Sequence, residues 1–371
     1  MKMTGARMVV EALAIEGVKC VYGIPGGSVI PLYDALYDAP FAHILMRHEQ
    51  AAAHAADGYA RASGTPGVCI CTSGPGFTNI LTGLATAFMD SVPLVAISGQ
   101  VATHLIGTDA FQESDTFGSS LPAVKHSFLV RSVDELPAAL KGAFEIAVSG
   151  RPGPVLVDLP VDIQKAEGEF VYPEHPLFGD GRLKTRTDLS RADEAADLLG
   201  NAERPVILAG GGILSSGASD FLLRLAEKCA IPVATTLMGK GAFPEDHPLS
   251  LGMAGMHGTP WANLALSEAD VLFAVGTRFS DRTTGRLDCF AKDAAVIHGD
   301  IDEAEFDKIV PCRVHLLGDA KAILGTVAEK LGKCVRDEWT ATVERWKEEY
   351  PLSDPGSADF IPSSVLEAVR R

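Results

Sequence analysis

The sequence predicts an α/β protein built from two doubly wound parallel-sheet domains, on three observations. Short β-branched runs read as nearly continuous apolar segments of strand length, the pattern of strands buried on both faces. Longer helical stretches alternate with them, and strand–helix alternation implies parallel sheets with right-handed crossovers. The 37 glycines cluster at the ends of apolar runs, where α/β folds place their ligand-binding turns.

In chain order, helix 5–16 opens the first domain. Helix 49–62 is rich in alanine, strand 67–72 runs into the turn TSGPG, and helix 77–89 follows. Strand 93–98, helix 133–148 and strand 154–159 complete the domain. The second domain reads as helix 190–199, strand 204–209, helix 218–229 and strands 231–234, 270–276 and 294–301. Between the two, residues 164–187 carry prolines and charges without periodicity, so domain one is expected over 1–163, a linker over 164–187 and domain two over 188–345. A second break at YPLSDPGS, within 346–371, reads as a linker toward a missing C-terminal domain, with a short helix-like end SSVLEAVRR.

The chain has 371 residues, which at roughly 100–200 residues per domain fits two domains. It is 47% hydrophobic and 22% charged, ordinary globular usage that excludes long disorder, collagen and coiled coil. Its net charge of −16 argues against nucleic acid and against a basic membrane-surface helix. No apolar run approaches the roughly 20 residues of a membrane span, and no signal peptide is read at the start. Seven cysteines without a CxxC pair predict buried free thiols and a cytoplasmic location.

The segment RHEQAAAH at 47–54 invites a metal reading, but Ala52 stands where a zinc-binding helix needs its second histidine. His48 and His54 lie on nearly opposite faces, so no metal ligands are expected. Taken alone, Glu49 is a first-turn carboxylate favoured by the helix dipole. GIPGG at 23–27, TSGPGFTN at 72–79 and GTDAFQE at 107–113 are, individually, turns.

Together, in this order and spacing, these stretches resemble thiamine-diphosphate-dependent enzymes, most closely the acetolactate synthase large-subunit family. YGIPGGSVIPLYDALYD, RHEQAAAHAADGYARASG, TSGPGFTN, PLVAISGQV, GTDAFQESD, VKHSFLV and GRPGPVLVDLPVD carry the likeness, which runs over essentially the whole chain. Phe77 departs from it, since the family usually has a small residue there. The resemblance implies a pyrimidine-binding first domain, a central Rossmann-like FAD-type domain and a third, diphosphate-binding domain absent from these residues.

The resemblance implies that Glu49 hydrogen-bonds the cofactor's aminopyrimidine and favours the imino tautomer, whose nitrogen takes the thiazolium proton; the ring then acts as an electron sink for decarboxylation. It implies that Pro25, Gly26 and Gly27 approach cofactor and substrate, and that Pro75 and Asn79 line the pyrimidine pocket. Gln112 becomes a catalytic contact near the reacting groups, with Phe111 and Lys125 at the substrate entrance and Lys125 also catalytic.

For FAD the implied positions are Arg151, the turn Gly210, Gly211 and Gly212, and then Thr236 and Leu237. Met256, His257, Gly276, Arg278 and Arg282 follow, with Asp300, Ile301 and Asp319 last. Glycine amides and arginines suit a pyrophosphate, and an acid at a strand end suits ribose hydroxyls or an adenine amine. Ser280-Asp281 departs from the two consecutive acids common in the family.

A GDG at 179–181 imitates the Mg2+ and diphosphate site. It follows no buried strand, and the asparagines at 79, 201 and 263 leave it without a companion roughly 25–30 residues on. Mg2+ is therefore expected through the missing domain.

The implied activity is decarboxylation of pyruvate and condensation of the hydroxyethyl carbanion with a second 2-oxo acid, pyruvate or 2-oxobutanoate. The chain alone is expected to bind thiamine diphosphate weakly and to have little or no activity. A homodimer or higher homo-oligomer and a small regulatory subunit are the implied partners. Two alternatives stay open: another thiamine-diphosphate-dependent 2-oxo acid decarboxylase or oxidase, and a non-catalytic subunit needing a separate diphosphate-binding chain.

Overall fold

A computed structural model describes residues 1–175, 177, 186–352, 365, 366, 368 and 369. The chain divides into two compact units, Met1–Thr185 and Arg186–Arg371. The GDG at 179–181 lies outside the described residues, as does most of the segment after Leu352.

The strands of the first unit are β1 Lys2–Thr4, β2 Cys20–Gly23, β3 Ala42–Leu45, β4 Gly67–Cys71, β5 Leu94–Gln100, β6 His126–Leu129, β7 Pro154–Pro160 and β8 Glu167–Glu169. Six of them form one sheet in the order β3-β2-β4-β5-β7-β6, parallel throughout. Every residue of β4, β5 and β7 is buried, which is why these runs are continuously apolar. Helices cover both faces and give two cores, one around Met8, Leu13 and Ile97, the other around Ala53, Phe77 and Leu84.

Glu167–Glu169 pairs with Lys2–Thr4 as a small antiparallel ribbon, and Val161–Lys165 is helical. Residues 164–169, expected in the linker, are thus ordered parts of the first unit. The helix expected from 133 starts at Leu136, with Pro137 in its first turn, where a missing N–H costs nothing. Of the seven thiols, Cys69, Cys71 and Cys229 are buried but Cys289 is exposed, so the expectation of uniformly buried thiols is corrected.

The second unit repeats the plan. Strands β9 Pro205–Ala209, β10 Val233–Thr235, β11 Ser250–Met253, β12 Val271–Val275, β13 Ala295–Asp300 and β14 Val314–Leu317 form a parallel sheet ordered β11-β10-β9-β12-β13-β14. Helix Asp337–Glu349 runs past the expected boundary at 345 and buries Trp339 and Val343 against one face of the sheet. Among the described residues, no helix is long and apolar enough to cross a membrane.

Both sheets reverse their winding direction inside the sheet, between β2 and β4 in the first and between β9 and β12 in the second; the first reverses again near its edge, where β7 inserts between β5 and β6. Crevices outside the carboxyl ends of strands at such a reversal are where open α/β sheets bind ligands.

Candidate active site

The carboxyl ends of β2, β3, β4 and β5 carry, in turn, GIPGG, the start of the Glu49 helix, TSGPG and the loop 101–115. The first two turns are laced by hydroxyls. Ser28 N–H donates to Thr72 Oγ1 (3.2 Å), the two hydroxyls lie 2.9 Å apart, and Ser73 N–H donates to Ser28 Oγ (2.9 Å). Gly26 fits only because it has no side chain: a Cβ would meet Thr72 at 2.5 Å.

Helix Glu49–Ser63 follows β3, and helix Pro75–Met89 follows β4. Ala53 and Gly83 let them touch, since a Cβ on Gly83 would stand 2.4 Å from that of Ala53. Glu49 and Asn79 each sit four residues, about one turn, before that contact. The close approach thus brings them together, and Asn79 Nδ2 donates to Glu49 Oε2 at 2.9 Å. Glu49 Oε1 accepts no hydrogen bond among the described residues, and it faces Gly76, where a Cβ would stand 3.5 Å away. His48 caps the helix by accepting Gln50 N–H through Nδ1 (3.1 Å).

The loop after β5 is braced at both ends. Buried Gln100 accepts Val101 N–H (2.8 Å) and directs its amide to Ser114 O (3.2 Å), Thr116 Oγ1 (3.1 Å) and Asp158 Oδ2 (3.2 Å). Asp158 Oδ1 is buried and has no hydrogen-bond partner among the described residues, and burial raises this carboxyl to about 7. Within the loop, Gly107 and Ala110 N–H groups donate to Glu113 and hold its carboxyl below the usual range. Gln112 has φ +57° and its backbone presses on Gly74, where a Cβ would meet Gln112 O at 2.6 Å. Phe111 is 89% exposed beside it.

Pro25, Gly26, Gly27, Glu49, Pro75, Asn79, Phe111 and Gln112 therefore gather on one sheet edge. Lys125 does not. It precedes β6 and donates its N–H to Pro154 O at the start of β7, so it lies on the amino edge. Seven residues of β7, about 20 Å, separate that edge from the other. Its ammonium caps the helix Leu136–Val148, donating to Ile146 O and to Ser149 O (2.6 Å). Burial and neighbouring Arg151 lower it to about 8. The structure therefore does not bring Lys125, expected as a catalytic and substrate contact, to the edge that carries the others: a residue that precedes a parallel strand stands opposite the turns that follow strands. Arg151 lies on the same amino edge, its Nε donating to Ser91 Oγ (2.8 Å).

Ser28, Thr72, Gln100 and Asp158 are site-supporting residues that sequence reasoning missed. A lone acid in the apolar run VLVDLP and a glutamine ending ISGQ were the available signals.

In the second unit the positions expected for FAD follow the carboxyl ends of all six strands. Gly210, Gly211 and Gly212 follow β9; Thr236 and Leu237 follow β10; Met256 and His257 follow β11. Gly276, Arg278 and Arg282 follow β12, Asp300 and Ile301 end β13, and Asp319 follows β14.

The glycine turns pack backbone to backbone: a Cβ on Gly210 would meet Gly276 O at 2.0 Å. Gly210 N–H donates to Val275 O and Gly212 N–H to Gly276 O. Two of the three glycine amides are thus occupied by the fold, which narrows the expected pyrophosphate contact to Gly211 and the arginines. Leu237 and Met256 are exposed on the rim. Buried Asp300 accepts Asp302 N–H through Oδ1 (3.0 Å), and Asp319 caps the helix Ala320–Lys330 by accepting Lys321 N–H (2.9 Å). Buried His298 contacts Thr277 O through Nε2 (2.9 Å) and is lowered to about 4 by burial, so it is neutral near pH 7.

Residues 3–119 match the model for the N-terminal TPP binding domain of thiamine pyrophosphate enzymes, and residues 192–327 match that for their central domain. Among curated proteins, the probable acetolactate synthase large subunit of Methanocaldococcus jannaschii is 56% identical over 327 residues, covering 87% of this chain and 55% of that protein. Acetolactate synthase of Mycobacterium bovis is 47% identical over 375 residues, 99% of this chain and 61% of that protein. The isozyme 2 large subunit of Escherichia coli acetolactate synthase is 47% identical over 362 residues, 97% of this chain and 65% of that protein. The chain thus spans 55–65% of the length of these relatives. With the N-terminal and central domains in this order, the chain belongs to the thiamine pyrophosphate enzyme family.

Proposed function

We propose that the protein containing this chain is an acetolactate synthase large subunit. It removes carbon dioxide from pyruvate and joins the remaining two-carbon unit to a second 2-oxo acid, pyruvate or 2-oxobutanoate, in branched-chain amino-acid synthesis. The observation that carries this reading is Glu49: one carboxylate oxygen is held by Asn79 and the other stands open at the strand-order reversal.

The residues present fit the aminopyrimidine end of thiamine diphosphate. The open Oε1 offers an acceptor for a ring N–H, and Gly26 and Gly76 leave the edge free of side chains. When bound, thiamine diphosphate supplies an electron sink for carbon–carbon bond cleavage. Glu49 shares a proton with the ring at Oε1, and Asn79 fixes the carboxylate's orientation. Gln112 and Phe111 meet the 2-oxo acids from the loop that Gln100 braces. The diphosphate and its Mg2+ are assigned to a separate diphosphate-binding domain.

FAD is assigned to the second unit. Arg278 and Arg282 suit its pyrophosphate, Asp300 its ribose or adenine, and exposed Leu237 and Met256 its apolar faces. Arg151 of the first unit is carried as a further FAD contact by the resemblance alone. The flavin has no net redox role in the carboligation. A cytoplasmic homo-oligomer with a small regulatory subunit completes the reading.

Product analysis tests it: with pyruvate, thiamine diphosphate and Mg2+, acetolactate is expected. Acetaldehyde or acetate as the main product favours the decarboxylase or oxidase alternative. Glu49→Gln is expected to lower the rate by roughly 100-fold or more.

A further inference from the structure

The turn between β13 and β14 gathers three side chains that the reading above does not use. Asp307 has φ +57°, and its Oδ1 accepts Cys312 N–H at 2.7 Å, folding 307–312 back on itself. Its other oxygen lies 3.0 Å from Nε2 of His315, on β14. The His315 ring is stacked on Phe306, with centroids 4.8 Å apart and planes 21° apart, which fixes its orientation. Half-buried Cys312 keeps its thiol near this pair, with Sγ 3.1 Å from Val310 O. One oxygen, one sulfur and one nitrogen donor lie within 4.8 Å of one another.

We propose that Asp307, Cys312 and His315 form a binding site for a divalent transition ion of the zinc class, with water in the fourth position. A thiolate–imidazole–carboxylate set favours such an ion over Mg2+ or Ca2+. Metal–ligand lengths of about 2.0–2.3 Å place tetrahedral ligands roughly 3.3–3.7 Å apart. The Asp307–His315 pair is already at that scale, and rotation of the short Cys312 side chain closes the rest. Two anionic ligands balance the ion's two charges.

An Asp–His pair alone would not need the sulfur, so Cys312 is the discriminating residue. Coordination replaces the Cys312 S–H bond by a metal–sulfur bond and releases one proton to solvent. The proposal does not rest on the activity assigned above, so either can fail without the other.

The test is titration of the metal-stripped protein with Co2+, followed by displacement with Zn2+. One equivalent of Co2+ added to the metal-free protein is expected to release one proton near pH 7 and to produce a thiolate-to-cobalt charge-transfer band and tetrahedral visible bands, and one equivalent of Zn2+ to bleach those bands with no further proton release. The charge-transfer band is expected to vanish in Cys312→Ser, to persist in the control Cys289→Ser, and to require at least about 10-fold more Co2+ in His315→Gln. Thermal unfolding of each variant shows whether it is folded, and Cys312→Ala gives a second version of the sulfur deletion. Absence of a thiolate band in the folded wild type, or its survival in both Cys312 variants, overturns the proposal.

Discussion

Each sheet has an internal reversal of winding, between β2 and β4 in one and between β9 and β12 in the other, but the two are furnished differently. In the first unit the turns after β2 and β4 are held by the hydroxyls of Ser28 and Thr72, which also accept the Ser73 and Ser28 N–H groups, and a carboxylate stands beside them. In the second, the turns after β9 and β12 are held by glycine backbone pressed on glycine backbone. The first edge thus presents a group that can move a proton. The second presents a wide rim of small residues, arginines and one buried acid, suited to holding an extended ligand still. One topology supports two kinds of site because the chemistry lies in the loops, not in the sheet.

The comparison breaks most readily at Glu49. Glu49→Gln is expected to cost roughly 10²–10⁴ in kcat with little change in unfolding temperature, since the group is half-exposed and its amide replacement keeps the shape. A variant with wild-type turnover would place both edges in the holding class.

A pair of glycine variants sharpens the contrast. Gly83→Val should push the helices Glu49–Ser63 and Pro75–Met89 apart, destabilise the first unit by about 1–3 kcal/mol and lower activity by separating Glu49 from Asn79. Gly276→Ala meets Gly212 Cα at 2.7 Å at a φ of +61°, so it should destabilise the second unit instead. Hydrogen exchange resolved by unit checks both expectations.

Asp158 offers a pH signature confined to the first unit. Its carboxyl is raised from an ordinary value near 4 to about 7. The folded state therefore keeps a proton that the unfolded chain loses, and this contribution is full below about pH 4 and lost as pH rises through 7. Asp158→Asn should remove that decline, measured as the wild-type-minus-variant stability between pH 5 and 8. A pH-independent difference contradicts it.

The smallest kinetic effect is expected at Lys125. Lys125→Met should leave the KM for pyruvate within about twofold, because the residue lies on the amino edge. Its ammonium is lowered from about 10.5 to about 8, so the wild type should gain stability relative to the variant as pH rises from 8 toward 10.5. A large KM change would return Lys125 to the substrate.

Much of the fold was legible because its central strands are buried on both faces. LVAISGQ and PVLVDLP leave little choice of element. The four-residue strands CVYG, AHIL and HSFL were not legible, being too short and, in AHIL, too exposed for an apolar run to mark them. Glu49 and Asn79 were legible as parts of motifs, but their contact was not: it depends on Ala53 meeting Gly83, which no local pattern encodes. Lys125 shows the converse, because its motif does not reveal whether it precedes or follows a strand. The short bounded segments around Glu167–Glu169 show another limit, since loss of periodicity marked a linker where a strand pairs with Lys2–Thr4.

The central claim is that Glu49, oriented by Asn79, handles the proton at the first unit's reversal. The direct measurement is the rate of deuterium exchange at the thiazolium C2 position of thiamine diphosphate bound to the protein containing this chain, compared between wild type and Glu49→Gln at equal cofactor occupancy. The account predicts exchange slowed by roughly 100-fold or more in the variant. Equal exchange rates at equal occupancy would contradict it.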